Sequence, residues 1–304
     1  MSGPVVECVP NFSEGRDLQR IEAIVAAMRV EGAHLLDWSM DADHNRSVVT
    51  IAGTPAAVVE SAVRGAGKAA ELIDLTLQQG VHPRIGAADV IPFVPVSGIK
   101  LEQCALLARQ AGLEIWRRYE VPIYFYEAAA ARPDRANLEN VRQGQFEGLR
   151  DAVRKESARR PDLGGPGLHP TAGACAVGAR KFLVAYNIYF ESGDVAMVRA
   201  LAREIRAATG GLKGVKAMGV LAHGRPQLSM NITDFEATPV SLVFRTASDL
   251  ALKFKTSPIE GEVIGLIPEA ACERESEWMR QLTEFDPQTK ILEHRLADPL
   301  VWPE

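Results

Sequence analysis

Apolar positions along the chain fall into a pattern of elements that occurs twice. Val5 to Val9 predicts a short buried strand, and Asp17 to Arg29 a helix with Leu18, Ile21, Ile24, Val25 and Met28 on one face. His34 to Trp38 and Ser47 to Ala52 predict strands on either side of a polar connection, Asp41 to Arg46. Thr54 as N-cap and Pro55 at the first helical position open a helix to Asp74. Val90 to Val96 predicts a fourth strand, with Pro92 and Pro95 placing it at an edge or a bulge. The order is βαββαβ, extended by a helix over Lys100 to Tyr119 and a strand over Pro122 to Tyr126.

From Arg132 to Pro170 the pattern lapses into a charged, then glycine- and proline-rich connection, with short helices near Leu138 to Arg142 and Phe146 to Lys155. The same order then returns. Strands are predicted over Phe182 to Phe190, Val215 to Leu221, Gln227 to Thr233 and Gly261 to Ile267, with helices over Asp194 to Thr209 and Pro239 to Lys253. A last helix is predicted over Glu275 to Leu282. Each βαββαβ run is a ferredoxin-like split motif, with helices on one face of an antiparallel sheet. The expected architecture is α+β, with two ferredoxin-like subdomains, residues 1–179 and 180–304, and an active cleft between them.

Composition narrows the function. With 304 residues, 47% of them hydrophobic, the chain can bury a substantial core, and a net charge of -5 argues against a general nucleic-acid binder. Cys8, Cys104, Cys175 and Cys272 lack metal-ligand spacing, so neither structural zinc nor a disulfide framework is expected. With no signal-like start and no apolar run of transmembrane length, a soluble cytoplasmic protein with no membrane partner is expected.

The chemistry concentrates in Gln79-Gly80-Val81-His82-Pro83-Arg84-Ile85-Gly86-Ala87-Ala88-Asp89, where glycine and proline predict an irregular loop carrying a histidine, an arginine and a carboxylate. His82 titrates near neutral pH and suits general acid/base work, and Asp89 or Asp43 is a candidate to orient its ring. Arg84, Arg46 and Lys181 are candidates for binding substrate carboxylates. The turn Pro10-Asn11-Phe12-Ser13-Glu14-Gly15 ends a strand and starts a helix, so it offers donors to a carboxylate or simply caps the helix. Asp41-Ala42-Asp43-His44-Asn45-Arg46 reads as a solvated hairpin loop and not as a metal site, for it has no matching ligands elsewhere. Gly178-Ala179-Arg180-Lys181 reads as a backbone-donor loop without the pattern of a phosphate loop.

Together, Val6-Glu7-Cys8-Val9-Pro10-Asn11-Phe12-Ser13-Glu14-Gly15, Asp43-His44-Asn45-Arg46-Ser47-Val48, His82-Pro83-Arg84-Ile85-Gly86-Ala87-Ala88-Asp89 and Gly178-Ala179-Arg180-Lys181-Phe182-Leu183 resemble the glutamate formimidoyltransferase family. The resemblance implies transfer of a formimino group from N-formimino-L-glutamate to tetrahydrofolate as co-substrate, a step of histidine degradation, by a homodimer. It places the catalytic histidine at His82, while the candidate substrate contacts read from the motifs themselves are Asn11, Asp43, Asn45, Arg46, Arg84, Asp89 and Lys181. The folate segment falls on Gly164, Gly165, Pro166, Gly167, Leu168, His169, Pro170, Thr171, Ala172 and Gly173. Where animal members carry a carboxylate this chain has Ser39, so any role for it passes to Asp41 or Asp43 or is absent. The alternatives are an enzyme acting on 5-formyltetrahydrofolate and a folate-binding module without catalysis.

Overall fold

The structure is a computed structural model that describes residues 3–191 and 193–303. The chain divides into two compact units, with the boundary between Arg180 and Lys181 and the residues from Pro299 onward belonging to the first. Among the described residues no helix is long and apolar enough to cross a membrane.

In the first unit the strands are β1 (Val5–Cys8), β2 (Asn11–Phe12), β3 (Ala33–Asp41), β4 (Arg46–Gly53), β5 (Ala88–Ser97), β6 (Ile123–Glu127) and β7 (Cys175–Ala179). β1 and β2 form one line broken at Val9 and Pro10, and each pairs antiparallel with β4 on one side and β5 on the other. The sheet therefore runs β3, β4, β1 with β2, β5, β7, β6, and its β5–β7 and β7–β6 pairings are parallel. Helices α1 (Leu18–Ala27), α2 (Pro55–Leu72) and α3 (Leu101–Tyr119) supply apolar faces to one core with Phe12, Leu35, Ile51 and Phe93. Short α4 (Leu138–Val141) and α5 (Gln145–Lys155) set Val141, Leu149 and Val153 against Tyr124, Tyr126 and Ala176 in a second cluster. Both faces of the parallel part are covered in this way.

Two expectations change here. Of the edge or bulge expected for β5 only the second fits: β5 is an interior strand, and its pairing with β1 and β2 carries register shifts. A proline lacks only the donor, and the Pro92 carbonyl still accepts the amide of Val9 at 3.2 Å. β7 was not predicted, and Gly178 and Ala179 lie inside it, so they form no donor loop.

The second unit holds β8 (Val184–Phe190), α6 (Val195–Ile205), β9 (Val215–Ala222), β10 (Arg225–Ile232), α7 (Val240–Leu252) and β11 (Pro258–Ile264). Its antiparallel sheet runs β11, β8, β10, β9. Val184, Tyr186, Ile188 and Phe190 alternate onto the buried face, where they meet Val198, Leu201 and Ile205 of α6 and Val243, Phe244 and Ala247 of α7. His223 and Gly224, both at positive φ, make the tight turn from β9 to β10. β11 begins and ends earlier than its apolar pattern predicts, because Gly265 at φ 71 turns the chain and Ile267 then bonds the Lys290 carbonyl. The helix predicted over 275–282 is a single turn, Glu277–Arg280.

Candidate active site

The connection from α2 to β5, residues 73–87, carries His82 and is fastened from several directions. The backbone amides of Leu75 and Ala87 donate to the carbonyls of Thr171 and Ala172, and Ala174 donates to Ile85, each at 2.9 Å. Ser13 donates its hydroxyl to the Gly86 carbonyl at 2.7 Å, and Phe146 its amide to the Arg84 carbonyl at 2.9 Å. From the β3–β4 turn, Asn45 donates its side-chain amide to the Gln79 carbonyl at 2.8 Å and accepts from the Gly15 amide at 2.9 Å. Backbones approach so closely here that a Cβ on Gly80 would stand 2.3 Å from the His44 carbonyl oxygen. A loop rich in glycine and proline is thus held as firmly as a strand.

Asp89, the first acidic residue of β5, is fully buried. It accepts from Arg46 Nη1 at 2.8 Å, from Arg142 Nη2 and from the Ile85 amide at 2.8 Å. Burial alone would raise its carboxyl, but the Arg142 and Arg46 charges and these hydrogen bonds outweigh it and hold the group at about 2. Arg46 is itself pulled down to about 10 by burial, against the opposing pull of Asp89. Its Nε donates to the Asn11 side-chain oxygen at 3.0 Å.

His82 sits half-buried beside this cluster, 6.0 Å between ring centroids from His44. Its Nδ1 lies 2.9 Å from the Pro83 carbonyl oxygen. A carbonyl can only accept, so Nδ1 carries the hydrogen and Nε2 is the basic nitrogen. Burial, followed by the Arg46 and Arg142 charges, pushes the imidazole well below its ordinary value, and Asp89 and the Pro83 carbonyl oppose this only in part. The His82 imidazole is therefore neutral at pH 7, with a lower proton affinity than the sequence led us to expect. The hydrogen-bonding partner of its Nδ1 is the Pro83 carbonyl, while the Asp89 carboxylate is committed to the two arginines and the Ile85 amide.

The other candidates divide. Arg84 is buried, with Nε on the Gln78 side chain at 2.6 Å and both terminal nitrogens on Glu147 at 2.9 and 2.7 Å, so its fork is already filled. Asn45 is a latch between turns. Asp43 is exposed, its backbone carbonyl accepting from Val81 at 3.3 Å, and Asp41 accepts from the His44 amide at 2.8 Å. Lys181 belongs to the second unit and pairs with Asp234 at 3.2 Å. The amide cradle before α1 is taken by Glu14, whose Oε1 accepts from Gly15, Arg16 and Asp17 at 3.0, 2.8 and 3.1 Å. That cradle leaves no place for an incoming carboxylate. Among the described residues no group of three His, Cys, Asp or Glu side chains is arranged to hold a metal.

The segment Gly164–Gly173 is irregular, with positive φ at Gly164, Gly165 and Gly173 and a cis bond before Pro166. Its last part is a turn in which His169 and Gly173 exchange backbone hydrogen bonds at 2.9 and 3.1 Å. His169 Nδ1 accepts from the Ala172 amide at 2.9 Å, so this histidine braces the turn. Through Thr171, Ala172 and Ala174 the turn lies directly against the His82 loop.

Arg142, at the end of α4, was not anticipated. Nothing local marks it, because its acidic partner stands 53 residues earlier.

Comparison with known proteins places this arrangement. Residues 5–180 match the formiminotransferase domain, N-terminal subdomain, and residues 185–281 match the formiminotransferase domain. The chain belongs to the formiminotransferase family. It is 41% identical to a glutamate formimidoyltransferase of Streptococcus pyogenes serotype M1, over 96% of this chain and 98% of that one. A glutamate formimidoyltransferase of Thermoplasma acidophilum is 40% identical over 96% of this chain and 97% of its own. A formimidoyltransferase-cyclodeaminase of Mus musculus is 35% identical, with 97% of this chain aligned to 60% of that longer protein.

Proposed function

We propose that the chain transfers the formimino group of N-formimino-L-glutamate to N5 of tetrahydrofolate and releases L-glutamate. The observation that carries this is the identity of 41% with a glutamate formimidoyltransferase over 98% of that protein's length. The site fits the chemistry. N5 of the folate attacks the formimino carbon and forms a tetrahedral adduct, N5 gives up a proton, and the glutamate nitrogen takes one as its bond to carbon breaks. His82 Nε2, kept neutral by its surroundings, accepts the first proton and returns it to the departing amine.

Tetrahydrofolate is assigned to the Gly164–Gly173 segment, a reading supported by the hydrogen bonds that set its turn against the His82 loop. The ferredoxin-like assignment is supported in the second unit by the strand order β11, β8, β10, β9. The same order, β5, β1 with β2, β4, β3, lies within the first unit's larger sheet.

Purified protein mixed with N-formimino-L-glutamate and tetrahydrofolate should release glutamate in step with the absorbance change of 5-formiminotetrahydrofolate. His82→Ala should show neither. Folate binding without glutamate release by the wild type would remove the proposal in favour of a binding module, and conversion of 5-formyltetrahydrofolate with no glutamate released from N-formimino-L-glutamate would redirect it.

A further inference from the structure

Arg46 and Arg142 close on the one carboxylate of Asp89. Charges taken out of water are costly unless they are balanced and their donors filled. Neither condition is met at Arg142. One carboxylate between two guanidiniums leaves the cluster with positive charge in excess, and Arg142 Nε is shielded from solvent with no acceptor among the described residues. The Arg142 side chain as a whole is not sealed off, for it keeps 13% of its surface exposed.

We infer that Arg142 receives the α-carboxylate of the amino-acid substrate on the guanidinium edge that Asp89 does not use. The inference rests on formiminoglutamate being the donor. In that molecule the α-carboxylate sits on the carbon next to the departing nitrogen, so a donor placed for reaction at His82 brings this carboxylate to the cluster beside the ring. The glutamyl carboxylates of the folate lie an aminobenzoyl group away from N5 and do not meet that condition. Arg142 already acts on His82 through its charge. The same contact would neutralise the excess charge and orient the leaving amine toward Nε2. Arg84, by contrast, has its fork filled by Glu147.

Binding calorimetry with N-formimino-L-glutamate and with its α-amide, on wild type, Arg142→Lys and Arg142→Gln, tests the assignment. The wild type should prefer the acid by about 10- to 100-fold, the range of a charged hydrogen bond. Arg142→Gln should bind acid and amide alike, and Arg142→Lys should keep part of the preference. A residue that only clips α4 to the loop would weaken both ligands and leave the preference intact, so an intact preference in the Gln variant overturns the inference. If that variant does not fold, an undiminished preference in the Lys variant does the same. A preference sensitive to the γ-carboxylate or to the folate glutamyl group, in place of the α-carboxylate, also overturns it. A wild type that binds the acid over the amide but transfers nothing removes the proposed reaction and leaves Arg142 in its role, whereas one that binds neither removes both.

Discussion

The two units share a kernel and differ in what surrounds its last connection. In the second, α7 passes to β11 through the short stretch 253–257, and β11 remains an edge strand. In the first, α2 passes to β5 through the long stretch 73–87, and β5 is covered by β7. The added elements α3 to β7 do more than lengthen the sheet. They deliver Arg142, Glu147 and the turn at 169–173, which grip the long connection from outside. A βαββαβ sheet offers a stable platform, and here the candidate chemistry arises where an insertion in the kernel meets an addition to it. If this is right, changes at that junction should act on catalysis or on charge, and changes in the plain kernel on stability alone.

The largest effect expected is that of His82→Asn. It keeps the volume of a polar side chain in a loop held by backbone bonds, so the fold should survive while kcat falls by roughly a hundred- to ten-thousand-fold. Retention of more than about a tenth of the wild-type kcat, which that range leaves no room for, would break the assignment.

Next is Asp89→Asn, which leaves Arg46 and Arg142 facing each other across a neutral amide. Removing one partner of a buried ionic cluster typically costs about 3–5 kcal/mol. Urea unfolding should show a loss of that order, together with weaker transfer. A loss below about 1 kcal/mol, the worth of an exposed pair, would mean that solvent already screens the cluster.

Much of the kernel was legible from residue pattern because its strands have one wet or helix-covered face each. Val184, Tyr186, Ile188 and Phe190 recur at every second position of β8, and Val198, Leu201 and Ile205 at every third or fourth position of α6. β7 was not legible for the opposite reason. Cys175–Ala179 is buried on both faces, so no alternation marks it, and its small residues resemble the glycine-rich loop before it. Pro92 and Pro95 left β5 between an edge and a bulge, and it is an interior strand with register shifts, because a missing donor does not mean a missing partner strand. At the site, His82 and Asp89 stood out through their loop, and Arg46 through its polar turn. The pairing that organises them did not, since Arg142 reaches Asp89 only after the chain has passed through α3 and β6. Arg84 was the inverse case, a cation beside the catalytic candidate whose fork turns to α5.

The pH behaviour sharpens the contrast at smaller magnitude. A base held well below 6.5 should keep kcat/KM flat through neutrality and place its acid limb below that value. An acid limb at or above 6.5 would show that burial and the positive cluster together do not hold the ring's proton affinity down. Stability should follow the same groups. Asp89 has a folded value of about 2 against an ordinary 3.8, so its contribution is complete above 3.8 and is lost as pH falls toward 2, by roughly 2 kcal/mol. His82, also depressed, works in the same direction from 6.5 downward, because its protonated form is better accommodated in the unfolded chain. Unfolding midpoints measured between pH 2 and pH 8 should therefore fall on the acid side, and Asp89→Asn should make the fall below 3.8 shallower.

The smallest effect belongs to the plain kernel. Tyr186 on β8 is fully buried, edge-on to Trp278 at 5.4 Å between centroids, and its hydroxyl finds no partner among the described residues. Burial drives that hydroxyl's pKa up, beyond any working pH, so no ionisation of Tyr186 is in play. Tyr186→Phe keeps the ring contact and removes an unsatisfied donor, which should stabilise the protein by about 1 kcal/mol and raise Tm by roughly 2–4 °C. Calorimetric melting and a transfer assay on the same sample separate the two consequences. A rise in Tm with kcat unchanged would hold the second sheet to the role of support. A fall in kcat would mean that the kernel itself reaches into the chemistry, and the division drawn between the two kinds of structure would have to be redrawn at β8.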